Sequence, residues 1–124
     1  MGLDMFAFKV KKGTITEAVD FEVPQDVEPE EVQYWRKHPN LHGWMQDLYY
    51  EKNGTGESFN CDNVQLTEED IDMLEADING DNLPETRGFF FGESSPEDKE
   101  QDLEFVKKAR EVLVDHDLYY TSWW

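Results

Sequence analysis

Residues 118–124, LYYTSWW, constrain the fold more than any other stretch of the chain. Side chains alternate between the two faces of an extended strand, so Leu118, Tyr120, Ser122 and Trp124 share one face and Tyr119, Thr121 and Trp123 the other. Both faces then carry large aromatic area, and an open strand of this composition invites aggregation unless it is paired or covered. The segment is expected to pair within a sheet, with at least one aromatic buried against a helix or a second subunit. A homodimer is allowed by this composition and not required by it. The other end of the chain is strand-like too: Phe6, Phe8 and Val10 alternate with Ala7, Lys9 and Lys11, and the phenylalanine face is expected on the core.

Between these ends the periodicity changes. Gly13 supplies a turn, and residues 14–23 (Ile15, Val19, Phe21 and Val23 in phase) read as a returning strand. Pro29, Glu30 and Glu31 suit the first turn of a short helix ending near His38, with Val27 and Val32 as its staple. A second helix over 39–52 carries Leu41, Trp44, Met45, Leu48 and Tyr49 on one stripe, and Asn53-Gly54-Thr55-Gly56 ends it. Residues 59–66 read as a short extended piece. Thr67 then caps a helix with Asp70 as its partner, Ile71, Leu74 and Ile78 as its stripe and Asn79-Gly80 as its stop. Residues 87–92 suit a strand covered on both faces, and Ser95-Pro96 opens a helix striped by Phe105, Val106, Ala109, Val112 and Leu113. The predicted order is β-β-α-α-β-α-β-α-β. This is an α+β fold: a single domain over residues 1–124, with a mostly antiparallel or mixed sheet and helices packed on one face. The expected core is one cluster holding Phe6, Phe8, Phe21, Trp44, Leu48, Ile71, Leu74, Phe90, Val106, Ala109 and Leu113.

Charge narrows the function. The 124 residues carry 29 acids against 11 bases, a net charge of −18, which repels a phosphate backbone and disfavours nucleic-acid binding. Residues 62–104 hold fifteen of the acids, with only Arg87 and Lys99 as bases. Such a stretch suits a face that binds a basic partner, or one that mimics nucleic acid; it also suits a solvated surface that keeps the protein soluble. Glu68, Glu69 and Asp72 are the candidate interaction residues within it. The start MGLDMFAFKVKK has an early acid and no long apolar run, so a soluble cytoplasmic protein without a membrane anchor is expected.

The densest chemistry lies in WRKHPNLHGW, where His38 and His42 stand between Trp35 and Trp44. Indoles give apolar walls and imidazoles give donors and acceptors near neutral pH, so Trp35, His38, His42 and Trp44, with Arg87 as an anion contact, form a candidate ligand site. The alternative is a helix corner in which the indoles are core and the histidines bond the backbone. Pro39 splits the histidine pair and no third ligand is evident, so no metal is assigned. Asp77, Asn79 and Asp81 fail as a calcium loop, because glycine falls at position four and position twelve is Gly88. Gly54-x-Gly56 lacks the strand and third glycine of a phosphate cradle. Cys61 is expected to be small and buried, and His116 between Asp115 and Asp117 to end a helix. No nucleophile, base and orienting group can be assembled, so no catalytic residue and no cofactor is assigned.

Four phrases carry a resemblance: Gly2-Leu3-Asp4-Met5, the central KHPNLHGWM, the Gly88-Phe89-Phe90-Phe91-Gly92 block and the closing YYTSWW. Together they make the chain similar to a family of small proteins encoded by cyanobacterial and other marine phages. The resemblance implies a setting, the cytoplasm of an infected host cell, and brings no activity with it. The leading expectation is an acidic accessory protein that binds a host or phage protein. The alternative is a small-molecule binder or enzyme built on residues 35–44.

Overall fold

The N-terminal alternation does form a strand, β1 (Asp4–Lys11), but its faces are the reverse of the expected ones. Leu3, Met5 and Ala7 are fully buried in the main core, whereas Phe6 and Phe8 lie half-buried on the opposite face with buried Val10. The computed structural model, which describes residues 3–84 and 98–124, continues with β2 (Glu30–Arg36), α1 (Pro39–Glu51), β3 (Val64–Leu66), α2 (Glu68–Asn79), α3 (Asp98–Val112) and β4 (His116–Trp123).

These strands form one antiparallel sheet of order β2-β1-β4-β3. The C-terminal segment is an interior strand, paired along its length with β1 and at residues 118–120 with β3. The α+β class and the layering expected from the sequence therefore stand: α1, α2 and α3 all contribute to the cluster on one face of the sheet. Among the described residues the element order is β-β-α-β-α-α-β.

Two segments differ from their expected forms. Residues 30–36 form β2 rather than a short helix. Buried Gln33 and Trp35 alternate with exposed Tyr34 and Arg36, a period of two, and the β-prone Val32, Tyr34 and Trp35 outweigh a proline and two acids that suit a helix start. Residues 14–23 are not a strand. Both edges of β1 are already taken, by β2 and β4, so after the Gly13 turn (φ 89°) the chain crosses the face of the sheet as a strap. The strap touches the far edge through a bridge between Val19 and Val64 and a hydrogen bond from Gln65 N to Ala18 O at 2.8 Å.

The helices follow their stripes. In α1, Leu41, Trp44, Met45, Leu48 and Tyr49 are all buried, with Pro39 in the first turn. In α2, Thr67 caps the Asp70 amide, and the Asp70 side chain bonds back to complete the capping box. The buried residues form two clusters rather than one. Phe21 belongs to a small second cluster with Val10, Ile15 and Tyr119, while Trp44, Leu48, Ile71, Leu74, Val106 and Ala109 sit in the main one and Leu113 packs at its margin. The clusters are the two sides of the same sheet: Tyr120 of β4 enters the main one and Tyr119 the other. They do not mark two domains. Phe90, the strand expected over 87–92 and the Ser95-Pro96 cap lie outside the described residues.

Candidate functional site

The histidine–tryptophan corner is tied to two separate partners, Asp102 and Tyr120, and to Asp77 at its far end. Trp35, on β2, packs edge-on to Phe105 of α3 (4.8 Å, 76°), and its indole N–H donates to Asp102 Oδ1 at 3.2 Å. His38 precedes α1 and donates from Nε2 to Asp102 Oδ2 at 2.7 Å, with Nδ1 3.6 Å from Asp98 Oδ2. Asp102 is 1% exposed and His38 3%, so the carboxylate ties β2, the α1 N-terminus and α3 together inside the protein. His42, one turn on, faces elsewhere: its Nδ1 shares a 2.7 Å hydrogen bond with the Tyr120 hydroxyl and its ring stacks on Phe59 at 5.1 Å. Burial pushes the His42 imidazole down to about 4 and the Tyr120 hydroxyl well above its usual range. Trp44 donates to Asp77 Oδ2 at 2.8 Å and joins α1 to α2. Arg87 lies outside the described residues.

Sequence reasoning missed Asp102, although a signal was present. Asp102, Phe105, Val106 and Ala109 occupy i, i+3, i+4 and i+7 of α3 and are all buried, so a carboxylate stands at a core position and needs partners.

A second polar cluster pins the strap. The Tyr49 hydroxyl donates to Asp20 Oδ1, and Asp20 Oδ2 accepts from Thr55 N at 2.9 Å and Thr55 Oγ1 at 3.0 Å. Gly56 N donates back to the Tyr49 hydroxyl at 2.7 Å. The glycines here are required by contact: a Cβ at Gly54 would overlap the Tyr49 ring, and one at Gly56 the Asp62 carboxylate. Burial alone would raise the Asp20 carboxyl, but the Tyr49 and Thr55 hydrogen bonds outweigh it and hold the group below its usual range. Asp62 is raised by burial and by the Asp20 charge, and Tyr49 is pushed up to about 12 by burial and its bond to Asp20. Cys61, expected to be buried, is exposed at the lip of this open groove. Its backbone has φ 63° and its N–H donates to Ser122 O at 2.7 Å, which turns the side chain outward. Among the described residues no group of three or more His, Cys, Asp or Glu is placed to hold a metal.

The acids expected to form an interaction surface divide. Glu68 and Glu69 are exposed in the first turn of α2, whereas exposed Asp72 accepts from Arg110 at 2.6 Å and Asp70 is buried against Lys52. The strap is more uniform. Between Gly13 and Trp35 there are seven acids and no Lys or Arg, and all seven acids are exposed. Lys9 reaches Glu30 from outside the stretch at 3.5 Å. His116, expected at a helix end, instead opens β4 opposite Lys11, and the Asp117 beside it caps the turn by accepting from Gly13 N and Ile15 N at 2.9 and 3.1 Å. No helix among the described residues is long and apolar enough to cross a membrane. No family model matches the chain, and neither a curated protein nor a solved structure matches it.

Proposed function

We propose that this chain is an accessory protein that acts by binding a basic protein partner and has no chemistry of its own. One observation carries the reading: residues 17–31 hold seven exposed acids, five in the strap and two at the start of β2, with no Lys or Arg among them. Such a segment steers a positive partner into encounter and repels polyanions. The corner of residues 35–44 supports the same choice, because Trp35 and His38 Nε2 bond Asp102, His42 Nδ1 bonds Tyr120 and Trp44 bonds Asp77. In the setting implied by the resemblance to phage proteins, the partner is a host or phage protein. The test is the association rate with a basic protein recovered from infected-host lysate, measured over a salt series. Reversing Glu22, Asp26 and Glu28 to lysine should slow association about tenfold at low salt and flatten the salt dependence. Reversing Glu68 and Glu69 should act in the same direction. If neither set alters association rate or salt dependence, the acidity serves solubility and the proposal fails.

A further inference from the structure

The strap leaves one end of its face of the sheet exposed. At one end Phe21 stands edge-on to Tyr119 (5.3 Å, 89°), and Phe8 packs beside it. At the other end the face is open. Register places Tyr34, Phe6 and Thr121 side by side on β2, β1 and β4, and Arg36, Asp4 and Trp123 in the next row. Tyr34 is 39% exposed and Trp123 69%. The Phe6 ring lies 5.2 Å from Tyr34 and stacks on Phe8 at 5.6 Å and 13°. Three aromatic residues on adjacent strands therefore present their rings to one side.

Two acids, Asp4 and Glu31, and one base, Arg36, act on Tyr34. The Tyr34 hydroxyl donates to Asp4 Oδ1 at 2.6 Å, and the Asp4 bond, burial and the Asp4 and Glu31 charges raise that hydroxyl's pKa while the Arg36 charge lowers it. Arg36 stands at the β2 edge of the second row; two strand spacings, roughly 10 Å, separate it from Trp123. Aromatic faces carry negative quadrupole density and attract guanidinium or ammonium groups, the more so beside carboxylates. We propose that the open aromatic patch of Tyr34, Phe6 and Trp123, which spans two neighbouring rows, is the docking face for an arginine- or lysine-bearing segment of the protein partner. The cationic side chain lies over the rings, with Asp4 and Glu31 as its counter-charges. The inference rests on the acidic-docking reading and places the specific contact. Charge selects this occupant: a second copy would bring −18 against −18, and a polynucleotide would bring phosphates to the same acids.

An arginine-rich synthetic peptide and its citrulline counterpart are the probes, titrated against the whole chain. The arginine peptide should bind in a salt-dependent way and the citrulline peptide weakly. Trp123→Ala and Tyr34→Ala should each weaken the arginine peptide about three- to tenfold, with the salt dependence retained. Both side chains are exposed; matching thermal melts establish that each variant is folded, and Trp123→Phe, which keeps an aromatic face, should recover most of the affinity. Two results overturn the docking face. One is aromatic variants that bind like the parent while the strap charge reversals weaken binding, which leaves the acidic reading standing. The other is self-association in sedimentation that Trp123→Ala abolishes. If neither aromatic truncation nor charge reversal matters, both readings fall.

Discussion

The two faces of the sheet are built from the same strands and covered in different ways. On one face three helices and adjoining loops bury a cluster of twenty of the described residues, among them Trp35, Tyr49, Phe59, Phe105 and Tyr120. On the other, among the described residues, a strap without regular structure covers a buried cluster of Val10, Ile15, Phe21 and Tyr119 and leaves Tyr34 and Trp123 exposed. Burial stabilises roughly in proportion to apolar area, so the helix face supplies most of the folding free energy. The strap face is then free to carry surplus charge and exposed rings. It is pinned chiefly by polar contacts, Asp20 to Tyr49 and Thr55, and Asn63 Nδ2 to Phe21 O at 2.9 Å.

The largest expected effect tests that division of labour. Phe105→Ala, on the helix face, should cost about 3–5 kcal/mol in urea unfolding, as for other buried phenylalanines. Phe8→Ala, half-buried on the strap face, should cost about 1 kcal/mol. Equal losses would break the comparison.

The next effect sharpens it through pH. His42 belongs to the helix face, and burial lowers its imidazole from 6.5 to about 4. The unfolded chain takes up a proton below about 6.5 while the folded chain stays neutral until about 4. This contribution is therefore fully present above pH 6.5 and is lost as pH falls between those values. The gap corresponds to about 3 kcal/mol. Unfolding free energies at pH 7.5 and 4.5 should differ by most of that amount, and His42→Gln should narrow the difference. Parallel behaviour of variant and parent would show that His42 is not the group responsible.

The smallest effect concerns the pin. Tyr49→Phe removes the hydroxyl that donates to Asp20 and accepts from Gly56 N, and should cost about 1 kcal/mol. Its clearer sign should be faster proteolysis within residues 14–29, with cleavage elsewhere little changed. Unchanged cleavage there would mean that other contacts hold the strap.

The parts of this architecture legible in the sequence are those set by local spacing. The stripe Leu41–Trp44–Met45–Leu48–Tyr49 needs a helix, the Thr67–Asp70 box fixes where α2 starts, and the aromatic alternation after Leu118 needs neighbours on both sides. The parts that were not legible depend on which partner a segment finds. Residues 30–36 carry helix-start signals, and become a strand because β1 offers an edge to their alternating residues. Residues 14–23 alternate too, and find both edges of β1 occupied. Phe6 and Phe8 share a face as expected, but their bulk did not mark it as the helix face; small Ala7 occupies that position. At the candidate site, the buried Asp102 was readable from its place in the α3 stripe. The Asp20–Tyr49 contact spans 29 residues and leaves no local pattern. The open patch of Tyr34, Phe6 and Trp123 became visible only once the register of three strands was known.

Native-state hydrogen exchange tests most directly the claim that one face holds the fold while the other is a light, charged cover. Amides of β1 and β4 that pair the two strands, such as those around Ala7 and Tyr120, should exchange only through global unfolding. The Asp20 and Val27 amides, bonded to Asn63 O at 3.1 Å and Pro24 O at 3.0 Å, should exchange at least about a hundredfold faster through local opening of the strap. Protection of those two amides equal to that of β1 and β4, with the same denaturant dependence, would contradict the account, because the strap would then be part of the cooperative core.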